Sequence, residues 1–385
     1  MQKSECEIVV IGGGMVGASI AAHLAERADV RLLEMESQPG YHSTGRSAAM
    51  FTETDSDEEA YGSAPVRALI RASHHFFFSP PDGFVPDPLL KNRPVLVIAR
   101  HDQAEAFDAF AETVATNKHT QPKSADEAVS MVPMLRADAL RGAVLVQGAE
   151  IDVGALLQGY LRLFKRRGGK ISCGSEVSSI ERVDGLWRVT TKDEQVQARV
   201  VVNAAGAWAG DIGKLAGALD IGLQPYRRTA LLLDPPPGSN PDEWPFIWDI
   251  GEEFYVKPDA GKLLLSPNDE TPSAPCDAQA DDMDVAIAVD RIERATTLQV
   301  RRVEHTWAGL RSFVADRSPV IGYDPIQPNF FWAAAVGGFG IQTAPAVSRL
   351  GASLVFGAID AQAAAFGLTA PDVSPSRLQR RSVSA

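Results

Sequence analysis

Apolar positions along the chain switch between an unbroken run, a helical period and a two-residue alternation, and those switches predict the elements. Ile8-Val9-Val10-Ile11 is continuously apolar and ends in Gly12-Gly13-Gly14, the pattern of a fully buried strand. Val16, Ile20, Leu24 and Ala25 then recur at helical spacing, and Val30-Arg31-Leu32-Leu33 reads as a second strand. A loop of small residues, Pro39 to Ala49, leads on to an acidic segment, Asp55-Ser56-Asp57-Glu58-Glu59. Residues 66–78 read as helix up to Pro80-Pro81, Val95–Ala99 as strand, and residues 102–140 as mainly helical with breaks. Asp152 caps a helix running to Arg167. Short strands follow at 170–173, 177–183, 186–191 and 198–202, with Asp184-Gly185 as a hairpin turn. Asn203-Ala204-Ala205-Gly206-Ala207-Trp208 opens a helix. Strands broken by proline-rich loops fill 221–304, with one helix near 282–297. A last strand, Phe330 to Val336, runs into Gly337-Gly338-Phe339-Gly340-Ile341 and a helix from about Gln342 to Phe356.

Between Glu7 and Glu34 this pattern carries chemistry. Strand, Gly-x-Gly-x-x-Gly, helix and a second strand ending in an acid are the parts of a dinucleotide site. Gly12 makes the tight turn, Gly14 lets backbone approach a pyrophosphate, and Gly17 lets the helix pack closely. The helix start offers free N–H groups to phosphate, and Glu34 accepts from ribose hydroxyls. The net charge of −12 excludes a nucleic-acid partner as the expected one, since no basic face is present to neutralise phosphates. Three cysteines at 6, 173 and 276 have no metal-ligand spacing, and no metal site is expected. Cys6 and Cys173 fall in predicted strands and read as buried small hydrophobes. No apolar run reaches the length of a membrane helix and no signal peptide is visible. The expected location is the cytoplasm, with peripheral attachment at the inner membrane as the alternative.

The order of elements makes the nucleotide-binding part discontinuous: residues 1–50, 151–215 and 306–370, with 51–150 and 216–305 forming a second lobe and 371–385 a tail. Taken together, Val10–Gly17, Pro39–Ala49, Val202–Trp208, Gly222–Arg228, Phe254–Gly261, His305–Asp316 and Gly337–Thr343 resemble the FAD-dependent D-amino-acid oxidase and dehydrogenase superfamily. Within it, the bacterial D-arginine dehydrogenase group and its D-amino-acid dehydrogenase kin are the most similar. The resemblance implies an α/β fold, a Rossmann-type FAD-binding domain plus an α+β substrate lobe with a mixed sheet. It implies noncovalent FAD and hydride transfer from an amino-acid α-carbon to flavin, giving an imine that water hydrolyses to a 2-oxo acid and ammonia. The expected donor is a small-molecule D-amino acid, and the electron acceptor is oxygen or a quinone-like molecule.

The flavin-side contacts implied are Gly12, Gly14, Val16, Gly17, Glu34 and Met35; the loop residues Ser43, Thr44, Gly45, Arg46, Ser47, Ala48 and Met50; and Val177, Gly206, Gly337, Gly340 and Ile341. The loop's N–H groups and hydroxyls suit phosphate and ring oxygens. Arg228 and Arg311 match the substrate-carboxylate positions, and a guanidinium fits a carboxylate through two parallel hydrogen bonds. Strand alternation sends Arg227 and Arg228 to opposite faces, and the match selects Arg228. Tyr255 matches a tyrosine beside the carboxylate and Tyr61 one on a loop over the site. Gly338 offers a carbonyl to the substrate amine, and Gln342 a second polar contact. No general base is named, because an amine that arrives neutral needs none.

Two departures bear on the donor. Val95 stands where the arginine-type enzymes carry an acid, and Met50 where they carry a histidine. A valine cannot pair with a guanidinium, so less basic side chains are favoured unless the acidic stretch 53–59 compensates. The alternatives are an oxidase of glycine or N-methyl amino acids, a D-arginine dehydrogenase with a rearranged pocket, an NAD-dependent dehydrogenase, and a flavin-binding module without activity.

Overall fold

A computed structural model describes residues 2–52, 62–114 and 119–379. The acidic stretch 53–59 and Tyr61 lie outside the described residues. Two large sheets and one small one carry the chain. The first has a parallel centre: Gln2–Ile11 pairs on one side with Val30–Leu33 and on the other with Glu194–Asn203. Lys170–Ser172 extends it beyond Val30–Leu33, and Phe330–Ala334 pairs parallel with Val201 to Asn203. The antiparallel meander Val177–Val183, Leu186–Thr191 and the start of Glu194–Asn203 forms one flank. Asp184 and Gly185 both have positive φ (51° and 81°), as the two-residue turn requires.

Alternation along Gln2–Ile11 sends Ile8 and Val10 into one core and Val9 and Ile11 into another. The first core is covered by the helices Met15–Leu24, Val153–Arg166 and Ala344–Val355. Asp152 caps the second of these, accepting from Ala155 N at 2.7 Å. The last begins at Ala344, two residues later than the sequence pattern placed it. Pro345 confines the first turn, because proline fits only where its missing N–H is already unpaired.

The second sheet is mixed and mostly antiparallel. Gln224–Leu233 pairs along its length with His305–Phe313, and also with Lys262–Ser266. Val95–Arg100 lies between Phe246–Asp249 and Leu140–Val146. The region 102–140 is less helical than its pattern suggested. Ala104–Val114 and Ala125–Met131 are helices, but Thr120–Lys123 is an edge strand. Pro122 is tolerated there because an edge strand need not use every N–H. His305–Phe313, which opens the third segment of the expected nucleotide-binding part, is hydrogen bonded into this second sheet. Met50–Phe51, Leu90–Asn92 and Ala149–Ile151 form the small sheet between the two.

The architecture is therefore the expected one: an FAD-binding-type α/β layer joined to a lobe built on a mixed sheet. Cys173 departs from expectation. It lies one residue past the strand Lys170–Ser172 and is exposed, whereas Cys6 is partly covered and its thiol is pushed up to about 12, chiefly by burial. No helix among the described residues is long and apolar enough to cross a membrane.

Candidate active site

The parallel strands end together, and their C-terminal turns wall a cavity of about 290 Å³. Gly12 has φ +104°, and a Cβ there would lie 2.4 Å from the Ala204 carbonyl oxygen. Gly17 does not face the cavity; its Cβ would meet the Gly12 oxygen at 1.9 Å, so it holds helix against turn. A Cβ on Gly14, the residue before the helix, would meet only Thr44 Oγ1, at 3.4 Å, so its backbone is open to the cavity. Glu34 is 7% exposed and lines the far end. Its two carboxylate oxygens accept from Gly13 N (2.7 Å) and Glu36 N (2.8 Å). Burial raises its carboxyl above the ordinary value, against those bonds. Met35, Val177 and Gly206 also line this cavity. So do Tyr41, His42 and Trp208, which sequence patterns did not single out; the ring of His42 packs 4.6 Å from that of Trp208.

A second cavity, of about 160 Å³, shares Gly14, Ser43, Thr44, Ala204, Gly206 and Ala207 with the first. The two form one elongated trough with a buried acid at one end and arginines at the other. That shape and donor set fit FAD: an acid for ribose, a glycine turn and helix start for pyrophosphate, and a bare backbone floor for the ring. Val16, Arg46, Ser47, Ala48, Gly337, Gly340 and Ile341 line the second part. The loop is tied to the strand beneath it. Ser43 Oγ donates to the Leu310 carbonyl (2.7 Å), and Arg46 Nη1 donates to the carbonyls of Ala278 (3.0 Å) and Ala308 (2.8 Å). The Arg46 guanidinium is also paired with Asp277, which fixes the loop. Gly45 donates its N–H to Gly40 inside the loop turn and does not line the trough.

The arginines come from neighbouring antiparallel strands. Register sets Arg228 opposite Gly309 and Arg311 opposite Tyr226, so the two arginines are diagonal neighbours on one face. Arg227 turns to the other face and donates to Asp284 Oδ2 at 2.7 Å. Arg228 is 8% exposed, and burial first, then Arg311, pulls its pKa down to about 10; it stays charged at neutral pH. Three contacts hold it: Asp269 O (2.8 Å), Asn268 Oδ1 and Glu270 Oε1 (3.4 Å). The Arg311 guanidinium has no hydrogen-bond or ion-pair partner among the described residues, and the residue lines the cavity beside Gly338. A Cβ on Gly338 would sit 3.2 Å from the Arg311 guanidinium carbon. Two neighbouring cations at this end of the trough, one of them unpaired among the described residues, form a donor set that fits an anion.

Tyr255 lines the same cavity and stacks on Trp248 (5.8 Å) and Phe246 (5.4 Å). Val95 is opposite Phe246 in register and shares a buried cluster with Tyr255, Ala48 and Met50. Met50 packs in that cluster rather than lining the trough. Gln342 is buried at the trough's edge, near Thr52 N (3.5 Å), and is not part of the lining. Glu150, opposite Met50 in register, accepts from Lys257 Nζ (2.7 Å) and Arg93 Nε (3.0 Å). Burial pushes its carboxyl up, but the two bases prevail and hold it below the ordinary value. It is thus already paired.

Known proteins carry the same arrangement of chain. The FAD dependent oxidoreductase (DAO) family profile matches residues 7–354. Mouse FAD-dependent oxidoreductase domain-containing protein 1 is 24% identical, over 92% of this chain and 82% of its own length. Glycine oxidase of Bacillus licheniformis is 23% identical, over 92% and 94%. In fold, the crystal structure of glycine oxidase from Geobacillus kaustophilus superposes with a TM-score of 0.79 at 21% identity, over 93% of this chain and 96% of that one. Sequence pattern, trough and family agree, and the chain belongs to the FAD dependent oxidoreductases.

Proposed function

We propose that this enzyme oxidises D-amino acids with apolar or uncharged side chains, yielding 2-oxo acids and ammonia. The observation that carries the reading is the guanidinium of Arg311, unpaired among the described residues, beside the buried Arg228 at the end of the trough away from Glu34. FAD binding does not call for these two arginines, whereas a free amino acid presents the carboxylate they fit. The finer likeness to the D-arginine dehydrogenase group, and the division of the chain into FAD-binding segments and a substrate lobe, belong to the same proposal. Glycine oxidation by the relatives named above supports an amino-acid donor.

With FAD bound in the trough, the flavin would supply the two-electron acceptor for a hydride from the donor's α-carbon. Arg311 and Arg228 hold the carboxylate, and Tyr255 closes one side of it. The Gly338 carbonyl accepts from the donor amine, which fixes the α-carbon between two anchored groups. Exclusion of water by Ala230, Leu264, Val336 and Ile341 strengthens both contacts. A side chain directed toward the cluster of Val95, Met50 and Phe246 gains about 25 cal/mol per Å² buried, while a cationic one loses water without a partner. Oxygen or a quinone-like acceptor completes turnover.

The test is a kcat/KM ranking over D- and L-leucine, methionine, phenylalanine, arginine and lysine, with glycine and sarcosine. D-leucine, D-methionine or D-phenylalanine is expected to lead, and Val95→Glu to move preference toward D-arginine. A higher value for D-arginine in the unmodified enzyme overturns the side-chain preference. Preference for glycine or sarcosine selects the glycine-type alternative.

A further inference from the structure

Arg228 is anchored by one short segment. Its Nε donates to the Asp269 carbonyl, Nη1 to Asn268 Oδ1 and Nη2 to Glu270 Oε1. A guanidinium has five N–H bonds. Three are engaged here, and the two left over lie one on each terminal nitrogen of a side chain that lines the cavity. The segment 268–270 therefore fixes the plane of the guanidinium and leaves it a two-pronged donor.

Asn268 is the centre of this arrangement. It follows the strand Lys262–Ser266 with φ +58°, a left-handed conformation that asparagine tolerates better than most residues. Its Nδ2 donates to the Glu252 carbonyl at 2.9 Å while its Oδ1 accepts from Arg228. One neighbour is only an acceptor and the other only a donor, so a neutral carboxamide satisfies both. An aspartate would set an oxygen against the Glu252 carbonyl, and an apolar residue would leave both neighbours without that partner. Glu252 lies in the turn that leads into Tyr255–Asp259, so this one side chain links the turn before Tyr255 to Arg228.

We propose that Asn268 is the positioning residue of carboxylate recognition: it orients Arg228 against Arg311 and ties that arginine to the Tyr255 hairpin. This rests on the reading of the second cavity as the carboxylate site, and the test separates the two. The probe is propionate, titrated into the FAD-loaded enzyme and followed by the change in flavin absorbance, beside KM and kcat for the best donor. Asn268→Gly keeps the left-handed backbone and removes the amide; Asn268→Ala removes the amide and strains the backbone. Both are expected to retain FAD, to raise propionate Kd and donor KM by about tenfold or more, and to change kcat by less than about threefold. Kd and KM within twofold of the unmodified enzyme in both variants overturn the proposal. So does loss of FAD from both, or a fall confined to kcat. Arg311→Met is the control: if it leaves propionate binding unchanged, the carboxylate reading itself fails, whereas weakened binding there with normal binding in the Asn268 variants removes Asn268 alone.

Discussion

At single residues, the proposed carboxylate site rests on Arg311. Arg311→Met should lower kcat/KM by about 2–5 kcal/mol of transition-state binding while FAD stays bound, measured by steady-state kinetics beside flavin content. Unchanged kinetics would remove the residue from the site. Gly338→Ala is a finer probe. The added methyl meets the guanidinium at 3.2 Å, closer than ordinary contact, so Arg311 must shift. A rise in KM corresponding to about 1–2 kcal/mol is expected, with no change in FAD affinity. Much of this was legible in the sequence. Alternation along Gln224–Leu233 separated Arg228 from Arg227, and both arginines stood in apolar surroundings. Their diagonal pairing was not legible, because it depends on the register of two strands about eighty residues apart. Nor was the hold of Asn268 on Arg228, which no local pattern encodes.

At the scale of elements, the turn and helix that follow the first strand form a unit. Gly17→Ala places a methyl 1.9 Å from the Gly12 oxygen, and backbone has to move. A loss of at least about 2 kcal/mol in stability is expected, together with weaker FAD retention, because the shifted turn is the one at the trough. Thermal unfolding and FAD content after gel filtration check both; full retention of FAD would separate the turn from the cofactor. This unit was plain in the sequence because strand period, glycine spacing and the terminal acid agree within twenty-eight residues. Elements of the second sheet were harder. Thr120–Lys123 is short, polar and at an edge, so it carries neither an apolar run nor an alternation. The start of the last long helix slipped from Gln342 to Ala344, since helix ends are set by caps and prolines rather than by apolar period.

At the scale of the whole molecule, the helix Met15–Leu24 is covered by elements from distant parts of the chain, and its charge state is a global property. Burial, with Arg167 and Arg349 adding to it, pulls His23 from 6.5 down to about 4. Between these values the unfolded chain binds a proton that the folded chain does not. Stability therefore falls as pH drops through this window and levels off below about pH 4, by up to about 3 kcal/mol. Melting temperature against pH should show the fall, and His23→Gln should flatten it; an identical slope in the variant assigns the fall to other groups. That the first sheet takes strands from both ends of the chain is foreshadowed in the sequence by a strand and glycine-rich turn near each end. The joining of the two sheets around a common trough required the fold.

In the proposed reaction a D-amino acid, held by its carboxylate on Arg311 and Arg228, gives its electrons to FAD bound in this trough. The most direct test is anaerobic titration of the FAD-loaded enzyme with D-methionine and with L-methionine, for the unmodified protein and for Arg311→Met. D-methionine is expected to bleach the yellow flavin band of the unmodified enzyme, L-methionine to leave it intact, and Arg311→Met to bleach far more slowly at the same donor concentration. Bleaching by L-methionine alone, or equal rates with and without Arg311, would contradict it.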